Sequence, residues 1–187
     1  MRLLAGLGNP GAEYEGTRHN VGFVCVDAVA EKLAVSGWKE FKSGLLAKQG
    51  ENLFFKPQAF MNRSGEAIRQ VVDYYGIESS DICIVADDVY LSPGSTRIRH
   101  EGADGGHNGW KSVLEHLEGP FRRVRIGVGV YEQEPDKRVH QPALDRYVLQ
   151  KPTAHDQKLI NHMVDNIVPN LVMWLERGEL PEQTLHI

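Results

Sequence analysis

The sequence has little of what a secreted or membrane protein carries. Only two cysteines, Cys25 and Cys83, occur in 187 residues, and each lies between apolar neighbours, which is typical of a buried reduced thiol. No run approaches the roughly 20 apolar residues that a membrane helix needs. The opening MRLLAGLGNP has too short an apolar stretch for a secretory signal. These absences predict a cytoplasmic protein with no membrane partner.

An excess of positive charge is also missing. The formal net charge is -4, which taken alone argues weakly against a nucleic-acid partner. The charge is uneven, because one segment collects basic residues while the C-terminal end is acidic. The basic residues of that segment are Arg97, Arg99, Lys111, Arg122, Arg123 and Arg125. A local basic patch on an acidic protein is therefore still open.

Internal repeats, low-complexity tracts and linkers are absent too, so the sequence predicts one domain over residues 1–187. Apolar runs of strand length alternate with segments of helical spacing. This pattern predicts an α/β fold, a twisted mixed (mostly parallel) β-sheet with helices on both faces. The predicted strands are 2–7, 45–48, 53–56, 81–86, 96–99, 124–130 and 147–149. The predicted helices are 21–33, 64–75, a segment after Gly106, and a long one between a Thr153 cap and a Gly178 stop, which Pro169 should kink or interrupt.

Polar side chains follow several of the predicted strands. Asn9 follows the first strand, Asp87 and Asp88 follow the central one, and Asn62 follows the strand that ends near Lys56. Ligands in open α/β sheets bind beyond the carboxyl ends of the strands. The sequence therefore predicts a polar cleft at that edge of the sheet.

The string GLGNPG after the first strand matches the G-x-G-x-x-G pattern of dinucleotide-binding folds, but a lone match is weak. In those folds a helix starts at once, whereas Gly16 would disturb a helix here, and no second strand with an acidic end follows about 20 residues on. A turn that lets the Asn9 amide project into the cleft is the better interpretation. A nicotinamide-dependent dehydrogenase is kept as a rival.

His19 lies in the polar string TRHN, just before a predicted helix. A lone histidine there is more often a helix cap or a surface residue. A carboxylate at the end of the central strand changes this, because it would fix the tautomer of the imidazole and stabilise the imidazolium. Asp88 and Asp87 are rivals for that part, and a solvated turn is the alternative for both.

Three asparagines, Asn9, Asn62 and Asn108, would give the cleft neutral donors and acceptors suited to a peptide-like ligand. A metal site is disfavoured, because the spacing of His100, Glu101, Asp104 and His107 matches no usual ligand set. A serine nucleophile is poorly supported, because no G-x-S-x-G string is present.

Four strings in order resemble bacterial-type peptidyl-tRNA hydrolase: GLGNPGAEYEGTRHNVGF, FKPQAFMNRSGEA, ADDVYLSPGSTRIRHEGADGGHNG and FRRVRIGVG. The similarity extends from Arg2 to about Leu149 and fades in the C-terminal helix. The resemblance implies a monomeric α/β protein that needs no metal or other cofactor. It also implies hydrolysis of the ester bond between a peptide and the 3'-terminal ribose of tRNA, which recycles tRNA dropped from translation.

Carried over by position, the resemblance implies that His19 is the general base acting on water and that Asp88, in preference to Asp87, stabilises its working form. Asn9 matches the asparagine that helps distinguish blocked from free aminoacyl-tRNA. The positions that match substrate contacts are Tyr14, Phe60, Met61, Asn62 and Asn108, and those that match tRNA contacts are Arg97, Arg99 and Arg125. A non-catalytic RNA-binding protein is a second rival, which His19, Asp88 and Asn9 together disfavour. Residues 131–142 are longer and more acidic than the resemblance implies, which leaves any tRNA contact there open.

Overall fold

A computed structural model describes residues 1–129 and 141–187 of the chain. Its strands are β1 (Arg2–Gly6), β2 (Lys39–Phe41), β3 (Gly44–Gln49), β4 (Asn52–Pro57), β5 (Ile82–Asp88), β6 (Ser95–Arg99), β7 (Arg122–Gly127) and β8 (Gln183–His186). They form one sheet in the order β2-β3-β4-β1-β5-β7-β6-β8. The first strand, β1, thus lies in the interior of the sheet, and β8 lies at one edge.

The centre of the sheet is parallel and its flanks are antiparallel. β1 pairs in parallel with β4 and β5, and β5 with β7. The other four pairings, β2 with β3, β3 with β4, and β6 with both β7 and β8, are antiparallel. The mixed sheet is confirmed, but the expectation that it is mostly parallel is wrong, because hairpins and late strands were added at both edges of the parallel centre.

Helices cover both faces of the sheet, as predicted. They are α1 (Val21–Lys32), α2 (Ser64–Tyr75), α3 (Asn108–His116), α4 (Gln141–Val148) and α5 (Ala154–Arg177). α1 and α5 bury their apolar residues in one core with Leu4, Cys83 and Val85. α2 and α3 bury theirs in a second core with Leu3, Ile82 and Ile84. Because side chains alternate along a strand, each central strand supplies both cores.

Most predicted helix ends lie where the sequence indicated. The Thr153 side chain accepts a hydrogen bond from the Asp156 N–H at 3.1 Å, so it caps α5, and Gly178 ends that helix with φ 81°. Ser64 is a residue type that often caps helices, but here it is the buried first residue of α2, whose cap position is Arg63. α5 continues through Pro169 without interruption. None of the helices in the two described ranges is long and apolar enough to cross a membrane.

Two features of the sheet and helices differ from the prediction. Residues 147–149, predicted as a strand, lie at the end of α4, where Leu144 and Val148 are buried one turn apart. The short edge strands β2 and β8 were not predicted at all. Residues 131–140 of the acidic segment 131–142 lie outside the described residues.

Candidate active site

Close packing of α1 on the sheet brings His19 to the carboxyl ends of the strands. A Cβ atom at Gly22 would lie 2.4 Å from the Val85 carbonyl oxygen and 2.5 Å from that of Leu7, so only glycine fits where α1 crosses β1 and β5. The turn Arg18–Asn20, which precedes α1, is therefore held directly above the end of β5. His19 in this turn is 7% exposed.

His19 pairs with Asp87. Its Nδ1 atom lies 2.8 Å from Oδ1 of Asp87, which is fully buried near the end of β5. Because a carboxylate only accepts, Nδ1 carries the proton and donates it. Nε2 of His19 has no hydrogen bond to any residue in the described part of the chain. This imidazole is thus oriented as a base whose free nitrogen faces the cleft.

A second imidazole, that of His107, bonds to the same carboxylate oxygen. Its Nε2 lies 2.9 Å from Asp87 Oδ1, and its Nδ1 accepts the N–H groups of Gly109 and Trp110 at the start of α3. An accepting Nδ1 leaves the proton on Nε2, so the start of α3 sets the tautomer of His107. From the sequence, His107 was considered only as a candidate metal ligand. Its place directly before a helix start was the available signal that its ring caps α3.

The pKa values of His19 and Asp87 are both shifted from their usual ranges. Burial alone would lower the pKa of His19, but the charge and hydrogen bond of Asp87, with a smaller contribution from the charge of Asp145, raise it above its usual value. Burial alone would raise the pKa of Asp87, but His19 and His107 hold it well below its usual range. Asp87 is therefore ionised at neutral pH, and it favours the protonated form of His19.

The expected pairing of His19 with Asp88 is corrected by these contacts. Oδ1 of Asp88 accepts the backbone N–H of Tyr90 at 2.8 Å, and its Oδ2 accepts from Arg125 at 3.3 Å. Consecutive strand residues point to opposite faces, so Asp87 faces the α1 side and Asp88 faces the α3 side with Arg125. Asp88 lies near the site, but its carboxylate shapes the turn after β5 and positions Arg125.

The ligand atoms of His19, Asp87 and His107 lie within 4.8 Å of one another, which makes them the group of donors in the described ranges that is close enough to hold a metal ion. An imidazole nitrogen that donates a proton cannot bind a metal at the same time. Both nitrogens that face Asp87 are such donors, so the geometry favours a hydrogen-bonded triad over a metal centre. The other candidate set does not converge, since His100 bonds to Leu180 and Asp104 to Gly106.

The Asn9 amide has a fixed orientation. Its Oδ1 accepts the Met61 N–H at 2.8 Å, which turns its Nδ2 toward the cleft as a donor. The Asn20 side chain bonds both the N–H and the C=O of Asn9, at 2.8 and 3.0 Å, and so ties the loop after β1 to the His19 turn. The predicted projection of Asn9 into the cleft agrees with this geometry.

Two adjoining cavities share His19, Asn108, Asp145 and Val148 in their walls. The first, of about 440 Å³, is otherwise lined by residues of the β5 end and the glycine turn before α3, with Arg125. The second, of about 640 Å³, is otherwise lined by Asn9, Phe60, Met61, Asn62 and Leu149. The second cavity therefore brings the predicted asparagines together with Phe60 and Met61 beside His19. It also contains Asp145 of α4, which was not predicted from the sequence.

Arg18 fixes α4 against this site. Its guanidinium donates to the carbonyl groups of Tyr147, Gln150 and Lys151 and lies 3.9 Å from the centre of the Tyr147 ring. The neighbouring His19 turn and the end of α4 are thereby one packed unit. Arg18 and Tyr147 are far apart in the chain, so no local sequence pattern predicts this contact.

Arginines occupy one face of β6 and β7. Ile98, Val124 and Ile126 face the core on the α1 side, so the alternate residues Arg97, Arg99, Arg123 and Arg125 face the other way. Arg97 is directly opposite Arg125 in the register, and Arg99 is opposite Arg123. Burial and then the charge of Arg125 lower the pKa of Arg123, as expected where like charges crowd. This arginine face borders the first cavity, into which Arg125 extends.

Some predicted residues do not line either cavity. Tyr14 lies in the short helical turn Ala12–Tyr14, and its carbonyl accepts from Thr17. Arg97 and Arg99 lie outside both walls, and the Arg99 guanidinium donates to Gln183 and Thr184 of β8. The dinucleotide interpretation of GLGNPG is not supported, since the first helix after β1 longer than one turn begins only at Val21.

Comparisons with known proteins identify relatives of this chain. A family model described as peptidyl-tRNA hydrolase matches residues 3–186. The peptidyl-tRNA hydrolase of Halalkalibacterium halodurans is 47% identical over 152 residues, which is 79% of this chain and 81% of that protein. The peptidyl-tRNA hydrolase of Caldanaerobacter subterraneus is 41% identical over 184 residues, which is 95% of each chain.

Solved structures extend the similarity to the fold. The crystal structure of peptidyl-tRNA hydrolase from Acinetobacter baumannii covers 95% of this chain and 89% of its own, with a TM-score of 0.85 and 30% identity. An Arg119Gln mutant of the same protein gives a TM-score of 0.86 at 31% identity. With a family model that matches nearly the whole chain, and relatives alike in sequence and in fold, this chain belongs to the peptidyl-tRNA hydrolase family.

Proposed function

We propose that this protein hydrolyses the ester bond between the peptide and the 3'-terminal ribose of peptidyl-tRNA, with His19 as the general base and Asp87 as its partner. The observation that carries the proposal is the His19–Asp87 hydrogen bond, which leaves Nε2 free in a cleft lined by asparagines. Membership of the peptidyl-tRNA hydrolase family supports the same reaction.

In the reaction, Nε2 of His19 takes a proton from water while the water oxygen attacks the ester carbonyl carbon. Asp87 stabilises the imidazolium that forms, and its hydrogen bond keeps Nδ1 protonated throughout. The tetrahedral intermediate then breaks the bond to the ribose oxygen, which leaves with the proton from His19. An ester has a better leaving group than an amide, so no covalent enzyme intermediate is required.

Asn9 supplies a hydrogen-bond donor beside the base. Because Met61 holds its Oδ1, Asn9 offers Nδ2 to a carbonyl oxygen of the substrate. Asn62 and Asn108 add neutral amides to the cleft, where they pair with the peptide bond of a blocked substrate. This arrangement supports the role expected of Asn9 in preferring blocked over free aminoacyl-tRNA.

The arginine face is the proposed contact for the tRNA. Arg125 joins this face to the first cavity, so phosphates near the tRNA end would meet Arg97 and Arg125 while the ester reaches His19. We further propose that the protein works in the cytoplasm as a monomer and needs no cofactor. Its role there is to recycle dropped peptidyl-tRNA.

Incubation with N-acetyl-aminoacyl-tRNA and measurement of released tRNA tests the reaction. We expect His19→Ala to lower kcat by about 10² to 10⁴, the usual range for loss of a general base, with KM little changed. His162→Ala, an exposed histidine on α5, is the matched control and should keep wild-type kinetics. Wild-type turnover by His19→Ala would reject His19 as the base, and no release of tRNA by the wild type would reject the reaction itself.

A further inference from the structure

We propose that Asp145 is a specificity residue that favours substrates whose acyl portion carries an ammonium group on its side chain, an inference that rests on the proposed hydrolysis. Asp145 is an exposed residue of α4 whose side chain lines both cavities beside His19. It therefore lies where the two cavities meet, in the same walls as His19.

Among the described residues that line the first cavity, negative charge prevails. They offer three carboxylates, those of Asp87, Asp88 and Asp145, against one guanidinium, that of Arg125. Arg125 is already paired with Asp88, and Asp87 accepts from two imidazoles. Asp145 has no hydrogen bond or ion pair with another residue of ranges 1–129 and 141–187. Its charge is thus available to a ligand.

In the second cavity the contrast is sharper. Among its lining residues in ranges 1–129 and 141–187, those other than Asp145 and His19 are neutral: Asn9, Phe60, Met61, Asn62, Asn108, Val148 and Leu149. A neutral amide cleft by itself gives an ammonium no compensation for the water it loses. A single carboxylate in its wall provides that compensation, and Arg18 holds the helix that carries it.

The charge of Asp145 also acts inside the site, since it contributes to the raised pKa of His19. An ammonium bound at the same place would feel the same carboxylate. Exposed pairs of this kind are modest, and their strength falls as salt screens them. We therefore expect a selectivity of about two- to fivefold rather than an absolute requirement.

One tRNA esterified with three acyl groups tests the proposal: Nα-acetyl-lysine, Nα-acetyl-norleucine and norleucine with a free amine. The first carries its ammonium on the side chain, the third on the α-carbon, and the second has none. The ratio of kcat/KM for Nα-acetyl-lysine to kcat/KM for Nα-acetyl-norleucine should be about two- to fivefold lower in Asp145→Asn than in the wild type, while free-amine norleucine stays the poorest substrate of both enzymes. That ratio should also fall with rising salt in the wild type and less so in the variant.

Asp145→Glu keeps the charge and should keep the preference, and Asp165→Asn, an exposed aspartate on α5, should change nothing. An unchanged ratio for Nα-acetyl-lysine, or a change confined to the free-amine substrate, with Nα-acetyl-norleucyl-tRNA still hydrolysed, overturns the inference alone. No hydrolysis of any substrate by the wild type overturns the proposed function and this inference with it.

Discussion

Asp87 receives the hydrogen bonds of both imidazoles in the site, and Asp88 next to it receives neither. Replacing each aspartate by asparagine keeps its size and removes its charge. We expect Asp87→Asn to lower kcat by about 10² to 10⁴, because the tautomer and the imidazolium of His19 lose their support. Asp88→Asn should lower kcat less, through a looser Arg125. Single-turnover hydrolysis of N-acetyl-aminoacyl-tRNA by the two variants compares them, and equal losses would contradict the assignment.

The same pair of variants has a pH signature. A general base works only when neutral, so activity falls as pH drops through the pKa of His19, which lies above its usual value of about 6.5. In Asp87→Asn the larger raising influence is gone, so burial, opposed only by the smaller influence of Asp145, lowers the pKa of His19. The acid limb of kcat/KM should therefore move to lower pH, while in Asp88→Asn it should stay in place.

Sequence reasoning reached the right residue types here but the wrong aspartate. The period of two along β5 divides Asp87 from Asp88, yet the sequence does not say which face α1 covers. Cys83 and Val85 contact α1 and α5, which puts Asp87 on the His19 side, and this is known only once the helix is packed. His107 and Asp145 were missed as neighbours of His19 for a similar reason, since they are distant from it in the chain and approach it only in the folded structure.

At the scale of elements, the crossing of α1 over β1 and β5 decides the position of the base. Gly22→Ala would force a methyl group against the carbonyl oxygens of Val85 and Leu7. We expect a loss of about 1–3 kcal/mol in the free energy of unfolding. We also expect a larger loss of activity than a substitution far from His19 causes. Urea unfolding measures the first and tRNA release the second.

Val24→Ala on the exposed side of the same helix is the control, and it should leave both nearly unchanged. Stability of Gly22→Ala equal to the wild type would mean that α1 shifts at no cost. The close approach would then not be what fixes His19.

The predicted elements succeeded where local signals agree and failed where the β-propensity of a few residues stood alone. In α1, α2 and α5 the apolar residues recur at helical spacing over several turns and the ends are clear, so the bounds of these helices follow from the sequence. Tyr147, Val148 and Leu149 favour a strand by type, but burial of Leu144 and Val148 one turn apart, with Arg18 bonded to the helix end, makes the segment helical. The strands β2 and β8 pair only at sheet edges, where the partner supplies most of the signal.

At the scale of the whole molecule, a net charge of -4 coexists with an arginine face on β6 and β7. Like charges opposite each other in a sheet oppose folding, so an anion that binds across them relieves the repulsion. Arg97 is the most informative member of that face. Arg99 is engaged with β8 and Arg125 with Asp88 and Ala103, whereas Arg97 has no side-chain hydrogen bond within the described ranges.

We expect Arg97→Gln to raise KM for full-length N-acetyl-aminoacyl-tRNA and to leave KM for a minimal N-acetyl-aminoacyl nucleoside ester unchanged. If Arg97 neutralises one phosphate, the slope of log affinity against log salt should fall by about 1. Arg177→Gln, at the exposed end of α5, removes the same charge away from the face and should change neither quantity. An equal rise of KM for both substrates in Arg97→Gln would place the effect in the catalytic cleft, because a phosphate contact can weaken only a substrate that carries the phosphate.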